Sequence, residues 1–313
     1  MIMPHFLSSL FMHLTPRNIV SFFVARLLVI TGFVKRANQR ARKGNYILSI
    51  YFHNPNQKLF VRCVKWLQKK GFSFIDDKAL KGVVKGEIPF PKGAVIITVD
   101  DGWGNNKNNI VSVANKYQIP VSIFITTQPV EEGIPYWWSY IKAARQNEIS
   151  CYSIEYLKKI NNEERVSIVA MLQKQLQPLP REALTVEEVQ EIAKSPYVTI
   201  GSHTVSHPIL TKCSDEKALS EILESKNKIE SWIHKTVDAF AFPNGSFSQR
   251  EIQFLQQNNY QLLFSTQPTY LTEARLKGHY TIPRFEVLEN VSFAENICRM
   301  SGVWFQRPFI KPL

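Results

Sequence analysis

The stretch Ala94-Val95-Ile96-Ile97-Thr98-Val99-Asp100-Asp101-Gly102 decides how this chain folds. Its first six residues form a short, almost unbroken apolar run, the composition of a strand shielded from water, and the run stops at two carboxylates and a glycine. The same rhythm recurs on both sides. Upstream, Tyr46–Tyr51 reads as a buried strand; Gln57–Lys70 follows with Leu59, Val61, Val64 and Leu67 roughly at helical spacing, and Phe72–Ile75 returns to strand. Downstream, Asn106–Tyr117 reads as a helix and Val121–Thr126 as a strand opened by Pro120. Thr185-Val186-Glu187-Glu188 is a capping box whose helix runs to about Lys194, ahead of Pro196. Tyr197–Gly201, Val237–Phe242, Gln261–Thr266 and Thr281–Val287 read as strands, with helices from Ser214, over Ser248–Asn258 and over Phe293–Met300. Strands alternating with helices predict βαβ units and a parallel sheet. With about seven strands and no Gly-x-Gly-x-x-Gly after the first, the expected α/β fold is a closed or nearly closed TIM-like barrel, not a dinucleotide-binding sheet. Residues 130–183 break the alternation as a helical insertion, aromatic at its start (Tyr136, Trp137, Trp138, Tyr140) and charged later.

The composition fits that reading. Of 313 residues, 44% are apolar and 20% charged, which excludes wholesale disorder and supplies a sizeable core. The formal net charge is +12, and Lys35, Arg36, Arg40, Arg42 and Lys43 crowd one short stretch. Such a balance suits an anionic partner. No zinc-finger spacing or aromatic-rich RNA-binding strand is present, so a membrane surface or an anionic carrier is expected and nucleic acid is not. Cys63, Cys151, Cys213 and Cys298 lie far apart with no Cys-x-x-Cys, which predicts scattered buried thiols in a reducing compartment.

Residues 1–45 stand apart from a barrel domain over 46–313. Ile19–Val34 is strongly apolar but too short for a spanning helix, and Arg26 interrupts it. It lacks the charged start and small-residue cleavage site of a secretory signal, and the basic run follows it. Two readings stand open: an in-plane helix with a polybasic flank at a membrane surface, or an ordinary packing helix at the domain edge.

Catalytic groups of an α/β barrel gather at the C-terminal ends of its strands. Three segments put polar residues there. The first is Asp100-Asp101-Gly102. Neighbours on a strand point to opposite sides, so one carboxylate could ligate a metal while the other meets substrate; the plain alternative is a solvated Asp-Gly turn. The second is Ser202-His203-Thr204-Val205-Ser206-His207-Pro208, where two histidines four residues apart can aim at one ion. Combined with one of the aspartates they give a two-histidine, one-carboxylate set with open positions. The third is Phe242-Pro243-Asn244-Gly245, where Pro243 and Gly245 bracket Asn244 in a turn whose backbone N–H could stabilise an oxyanion, although Pro-Asn-Gly is also a generic turn.

Thr98-Val99-Asp100-Asp101-Gly102, Ser202-His203-Thr204-Val205-Ser206-His207 and Phe242-Pro243-Asn244-Gly245 resemble, in order and spacing, three motifs of the polysaccharide deacetylase family. These are metal-dependent carbohydrate esterases that include chitin and peptidoglycan deacetylases, and the resemblance covers about Tyr46 to Met300. Ile134-Pro135-Tyr136-Trp137-Trp138 is similar to a feature of members from bacterial surface-glycan clusters. The resemblance implies a distorted (β/α) barrel and a divalent ion, zinc first with cobalt, nickel or manganese as alternatives, bound by Asp101, His203 and His207. Asp100 is then the general base, and the Asn244 amide, beside Pro243 at the substrate wall, helps hold the oxyanion.

Two departures matter. An Arg common in the family two residues before the Pro of the third motif is Ala241 here, and the late Leu-x-x-His general acid is missing. Arg284 is the candidate charge partner for Asp100, and His279 the candidate acid, with a loop histidine as its plainer reading. Trp137 and Trp138 are candidates to stack on sugar rings, or are helix core. His53 reaches the rim of the site or simply belongs to a turn.

The resulting expectation is a hydrolase that removes an N-acetyl group from an amino sugar of a bacterial surface glycan or its lipid-linked precursor. It is expected in the cytoplasm, peripheral to the inner face of the plasma membrane. An O-acetyl esterase, a deformylase and a non-catalytic glycan-binding homologue are the alternatives.

Overall fold

Strand β3, Ala94–Val99, forms over the residues the sequence predicts, and all six are buried. The structure, a computed structural model, describes residues 15–278 and 281–306. Around β3 stand β1 (Leu48–Phe52), the two-residue β2 (Ser73–Phe74), β4 (Val121–Ile125), β5 (Val198–Ser202), β6 (Ala239–Ala241), β7 (Leu262–Phe264), β8 (Thr281–Ile282) and β9 (Phe285–Glu286). Their order across the sheet is β8-β7-β6-β5-β4-β3-β1-β9, with β2 on β3, and every pairing between them is parallel. The two ends of that path, β8 and β9, are separated only by Pro283-Arg284. One bent stretch therefore pairs with β7 by its first half and with β1 by its second, closing the barrel. Pro283 supplies the bend, since it has no N–H for a ladder. About seven strands were expected; the closing strand is read as two because of this bend.

Alternation along β3 sorts side chains between two layers. Val95, Ile97 and Val99 join the large cluster beneath the outer helices, while Ile96 joins the smaller cluster with Phe124, Ala241, Phe264 and Ile282. Thr98 and Asp100 continue the parity of Ile96. The parallel sheet needs helices on its outer face, and the sequence caps them locally. Asn56 accepts from the Leu59 N–H at the start of helix Gln57–Lys69. Complete capping boxes open Val186–Ile192 (Thr185, Glu188) and Gln249–Gln257 (Ser248, Glu251). Helix Gln57–Lys69 buries Phe60, Cys63, Val64 and Leu67, leaving the expected Leu59 and Val61 half-buried. The helix expected over Asn106–Tyr117 begins as a π turn at Lys107–Val111 before Ser112–Tyr117 becomes regular.

The insertion is helical, with Trp137–Gln146 packed on Asn162–Gln173 around Ile141, Leu157 and Leu172. Its exit is fastened to the loop after β3: Gly104 N–H donates to Glu182 O (2.8 Å) and Leu184 N–H to Gly102 O (3.0 Å). At the other end of the chain, helices Pro16–Ile30 and Phe33–Arg42 meet at 58°, and no single helix among the described residues is long and apolar enough to cross a membrane. All four cysteines are free; Cys63, Cys213 and Cys298 are buried as expected, whereas Cys151 is exposed on the insertion.

Candidate metal centre and active-site cavity

The C-terminal ends of β3, β5 and β6 open into one cavity of about 490 Å³ lined by Asp100, Asp101, His203, His207, Asn244 and both Trp137 and Trp138. Backbone strain collects here. Asp101, Thr204, His207 and Asn244 hold φ of 75°, 70°, 55° and 56°, the left-handed region that side chains other than glycine rarely occupy. Such geometry persists only where surrounding contacts enforce it. Gly245, at φ +67°, is obligatory for a second reason: a Cβ there would lie 1.8 Å from the Thr266 hydroxyl.

Asp101, His203 and His207 converge. His203 Nε2 and His207 Nε2 each lie 3.5 Å from Asp101 Oδ1, and all three side chains are buried. Ligands about 2.0–2.1 Å from a tetrahedral zinc ion stand about 3.3 Å from one another, and the two distances to Asp101 Oδ1 are close to that spacing. The proton states agree with that use. His203 Nδ1 is 2.7 Å from Ala241 O, an atom that can only accept, so Nδ1 carries a hydrogen and Nε2 is the ring nitrogen turned towards Asp101. Burial, with His203 beside it, pushes the His207 imidazole down to about 3, so it stands neutral. Burial opposes ionisation of Asp101, but the surrounding imidazoles, His203 first, outweigh it and hold the carboxyl well below the usual range. Two imidazoles and one carboxylate within reach of a common point fit a divalent cation.

Asp100 is only 2% exposed, and its partner is Arg284, wholly buried in the bend between β8 and β9. Arg284 Nη1 donates to Asp100 Oδ1 (2.7 Å) and Nη2 to Oδ2 (2.8 Å), a two-pronged pair. Nη1 also reaches Thr98 Oγ1 (2.9 Å), Nε donates to Ser265 O (3.0 Å), and the guanidinium lies over the Tyr51 ring at 4.5 Å. Ala241, the position where the family often has Arg, faces the same interior.

Asn244 sits in the tight turn Pro243–Gly245 and lines the cavity; Pro243 is buried at the turn's start and forms no part of the cavity wall, so its part is to set the turn. Trp137 is nearly buried, with Nε1 donating to His207 O (3.1 Å), while Trp138 is half-buried, stacked on Tyr136 and edge-on to the His207 ring at 4.7 Å. Both therefore belong to the cavity wall and to the insertion's packing at once. His279 lies outside the described residues. His53 lines the cavity, with Nδ1 3.9 Å from Glu286 Oε1 and its ring edge-on to Tyr51. Its loop is pinned by the helix start opposite, where Asn106 Nδ2 donates to His53 O and Asn109 Nδ2 to Pro55 O, both at 3.0 Å.

Several residues that sequence reasoning passed over hold the ligands in place. Trp103 Nε1 donates to Asp101 Oδ2 (2.9 Å), and Tyr136 Oη to Asp101 O (3.0 Å). Arg165 Nη1 donates to His207 O (3.3 Å). Glu221, fully buried, accepts from the Val205 and Ser206 N–H groups (2.8 Å each) and from Ser206 Oγ (2.7 Å), tying down the loop between the histidines. A barrel with a buried Asp-His-His triad, an adjacent Asp–Arg pair and an aromatic wall has the layout of a hydrolase cavity with a candidate site for a divalent cation.

The sequence model of polysaccharide deacetylases matches residues 87–263, more than half of the chain, and the protein belongs to that family, hydrolases of carbon–nitrogen bonds outside peptides. YxkH of Bacillus subtilis (strain 168), whose name places it in the same family, is 20% identical over 236 residues, 75% of this chain and 66% of its own length. Among solved structures, the Streptococcus pyogenes deacetylase PplD in complex with acetate superposes with a TM-score of 0.59 at 18% identity, covering 82% of this chain and 98% of that one. IcaB from Ammonifex degensii gives 0.58 at 14% identity, covering 84% and 98%. The BpsB deacetylase domain of Bordetella bronchiseptica gives 0.57 at 13%, covering 78% and 96%. At these identities the superpositions speak for the fold.

Proposed function

We propose that this chain removes the N-acetyl group from an amino sugar of a bacterial polysaccharide or of its lipid-linked precursor, with a divalent cation, zinc first, held by Asp101, His203 and His207. The observation that carries the reading is Asp100, clamped from behind by the buried Arg284, lining the same cavity as a metal-competent triad. A carboxylate clamped there has no need to ligate and is free to work on protons.

A bound divalent ion supplies Lewis acidity towards a water molecule and the acyl carbonyl. Asp100, oriented by Arg284, accepts the proton of the water as its oxygen bonds to the carbonyl carbon. The Asn244 backbone N–H, in its left-handed turn at the cavity wall, donates to the oxygen that gains charge. His53, with Glu286 at its other side, delivers a proton to the amine nitrogen as the C–N bond breaks. The products are acetate and a free amino sugar. Trp138, half-exposed on the cavity wall, offers the flat surface against which the sugar ring lies.

The test pairs metal content with acetate release from N-acetylated glycan oligomers, for wild type and Asp100→Asn. Near-stoichiometric metal in both, with acetate from wild type alone, is the expected result, and a base of this kind contributes about 100- to 10,000-fold. Release of formate, or of acetate only from O-acetylated sugars, would move the assignment to another acyl group. Wild type that binds no added metal would overturn it.

A further inference from the structure

The positive charge of this chain is segregated. Its first 75 residues hold 12 of the 38 Lys and Arg and none of the 26 Asp and Glu, so from Asp76 onward the two signs balance. All twelve of those basic side chains are exposed. Arg17 and Arg26 lie on, and Lys35, Arg42, Lys69 and Lys70 beside, a helix whose apolar stripe is turned outward. In Pro16–Ile30 the small residues Ser21 and Ala25 face the barrel, while Val20, Phe23, Leu27 and Ile30 are 62%, 65%, 60% and 75% exposed. Their spacing puts them on one stripe of the helix. The direction of that stripe is fixed by the inner face: Asn18 Nδ2 donates to Asn290 O (3.0 Å), Cys298 Sγ to Ala25 O (3.6 Å), and Arg17 pairs with Glu295 at 3.7 Å.

Beside the stripe, between helices Phe33–Arg42 and Gln57–Lys69, lies a cleft of about 530 Å³ whose walls combine Val29, Val34 and Trp66 with Lys35, Arg42 and Lys70. Arg36 adds a guanidinium 4.6 Å from the centre of the exposed Phe33 ring. An apolar stripe asks for cover. A second copy of the chain would bring the same uncompensated cations against these. A nucleic acid would match the charge and leave the apolar stripe wet. Acyl chains beneath a layer of phosphate satisfy both at once.

We propose that the outward face of helix Pro16–Ile30, with the basic cleft beside it, docks this protein on a bilayer that contains anionic phospholipids. The stripe enters the boundary between headgroups and acyl chains, and the Lys and Arg side chains around it meet the lipid phosphates. The geometry fixes the posture as well. The helix begins beside Asn290, in the segment after β9 at the cavity end of the barrel. The helix that follows it, Phe33–Arg42, reaches the opposite end, where it leads into β1 and the Gly93 N–H bonds to Ala41 O just ahead of β3. The barrel therefore lies on its flank, and the cavity opens along the membrane plane. This stands independently of the catalytic proposal, and its test uses no enzymatic readout.

The experiment is flotation of the full chain with vesicles of phosphatidylcholine alone or with about 30% phosphatidylglycerol, at low and high salt. Wild type is expected to float with the anionic vesicles and to be released by salt. Phe23→Glu with Leu27→Glu should cut partitioning at least about tenfold, by putting charge into the acyl boundary. Lys35→Gln with Arg36→Gln should cut it about 25-fold, fivefold for each charge. Both pairs alter exposed positions, so melting temperature is expected to match wild type, and it is measured to separate lost docking from lost folding. Equal binding to neutral and anionic vesicles overturns the proposal, as does binding that neither pair changes. A concentration-dependent dimer dissolved by the Phe23 and Leu27 changes, in a wild type that ignores vesicles, assigns the stripe to a second copy and overturns it too.

Discussion

Arg284→Met asks how much the barrel depends on its interior ion pair. The substitution keeps length and removes charge, leaving the Asp100 carboxylate buried at 2% exposure without its two-pronged partner. Breaking a buried pair from one side costs about 3–5 kcal/mol, because the remaining charge is uncompensated. For a domain of this size each kcal/mol moves the melting temperature by about 2–4 °C, so the variant should melt about 6–20 °C lower. Asp100→Asn strands the guanidinium in the same way, although Thr98 Oγ1 and Ser265 O still hold it. The double variant removes both charges, and its loss should be smaller than the sum of the two single losses by at least about 2 kcal/mol. The assay is thermal unfolding at one scan rate for all four proteins, with and without a chelator, so that metal binding and the pair are read separately. If the single losses simply add in the double variant, the two residues are not an energetic unit, and the account of how the base is held fails.

Trp103→Phe removes the hydrogen bond to Asp101 Oδ2 while keeping an aromatic ring, and should weaken metal affinity about 10- to 100-fold in competition with a chromophoric chelator; affinity within about twofold of wild type would show that Trp103 merely packs. Asp77, buried at the start of helix Asp77–Val84 with its carboxylate accepting from Ser122 Oγ, is pushed by burial up to about 6 from 3.8. Its folded pKa is raised, so its contribution to stability is complete below about pH 4 and is lost as pH rises through about 6, by at most about 3 kcal/mol. Asp77→Asn does not titrate, so its melting temperature should gain on wild type between pH 4.5 and 7.5, by about 6–12 °C at most; a difference that stays constant across that range would contradict the assignment.

The candidate site residues were legible wherever polar chemistry and strand geometry coincide. Asp100, Asp101, His203 and His207 stand at strand ends, where an apolar run stops at polar residues, and that contrast can be read directly. Arg284 was readable as a missing charge: with Ala241 in the third motif, a carboxylate inside the barrel still needed a cation. The residues that hold these groups were harder to see. Glu221 lies on the inward stripe of helix Asp215–Ile233 with Ala218, Ile222, Ser225 and Ile229, so a strict helical register would have exposed a carboxylate among core positions. Trp103 reaches Asp101 because Asp101 takes a left-handed φ, which residue order does not announce. In helix Gln57–Lys69 the four apolar positions chosen were partly off the buried face, because Phe60 and Cys63 compete with Leu59 and Val61 for it. The acid sought late in the chain is proposed to stand early in it instead. His53 follows β1, which is the neighbour of β9 only once the barrel is closed.

That closure has a consequence in time. The ribosome releases a chain from its N-terminus at about 5–20 residues per second, and domains fold largely as units. When Phe264 has emerged, β1 to β7 and every proposed metal ligand are already available. Asp100, however, still waits for a guanidinium that lies 184 positions further along the chain, in the bend that joins the first and last staves. A nascent chain can thus acquire a cation before it acquires an oriented base. Orientation of the proposed base and closure of the barrel are coupled, because the bend that joins the first and last staves is also the one that carries Arg284.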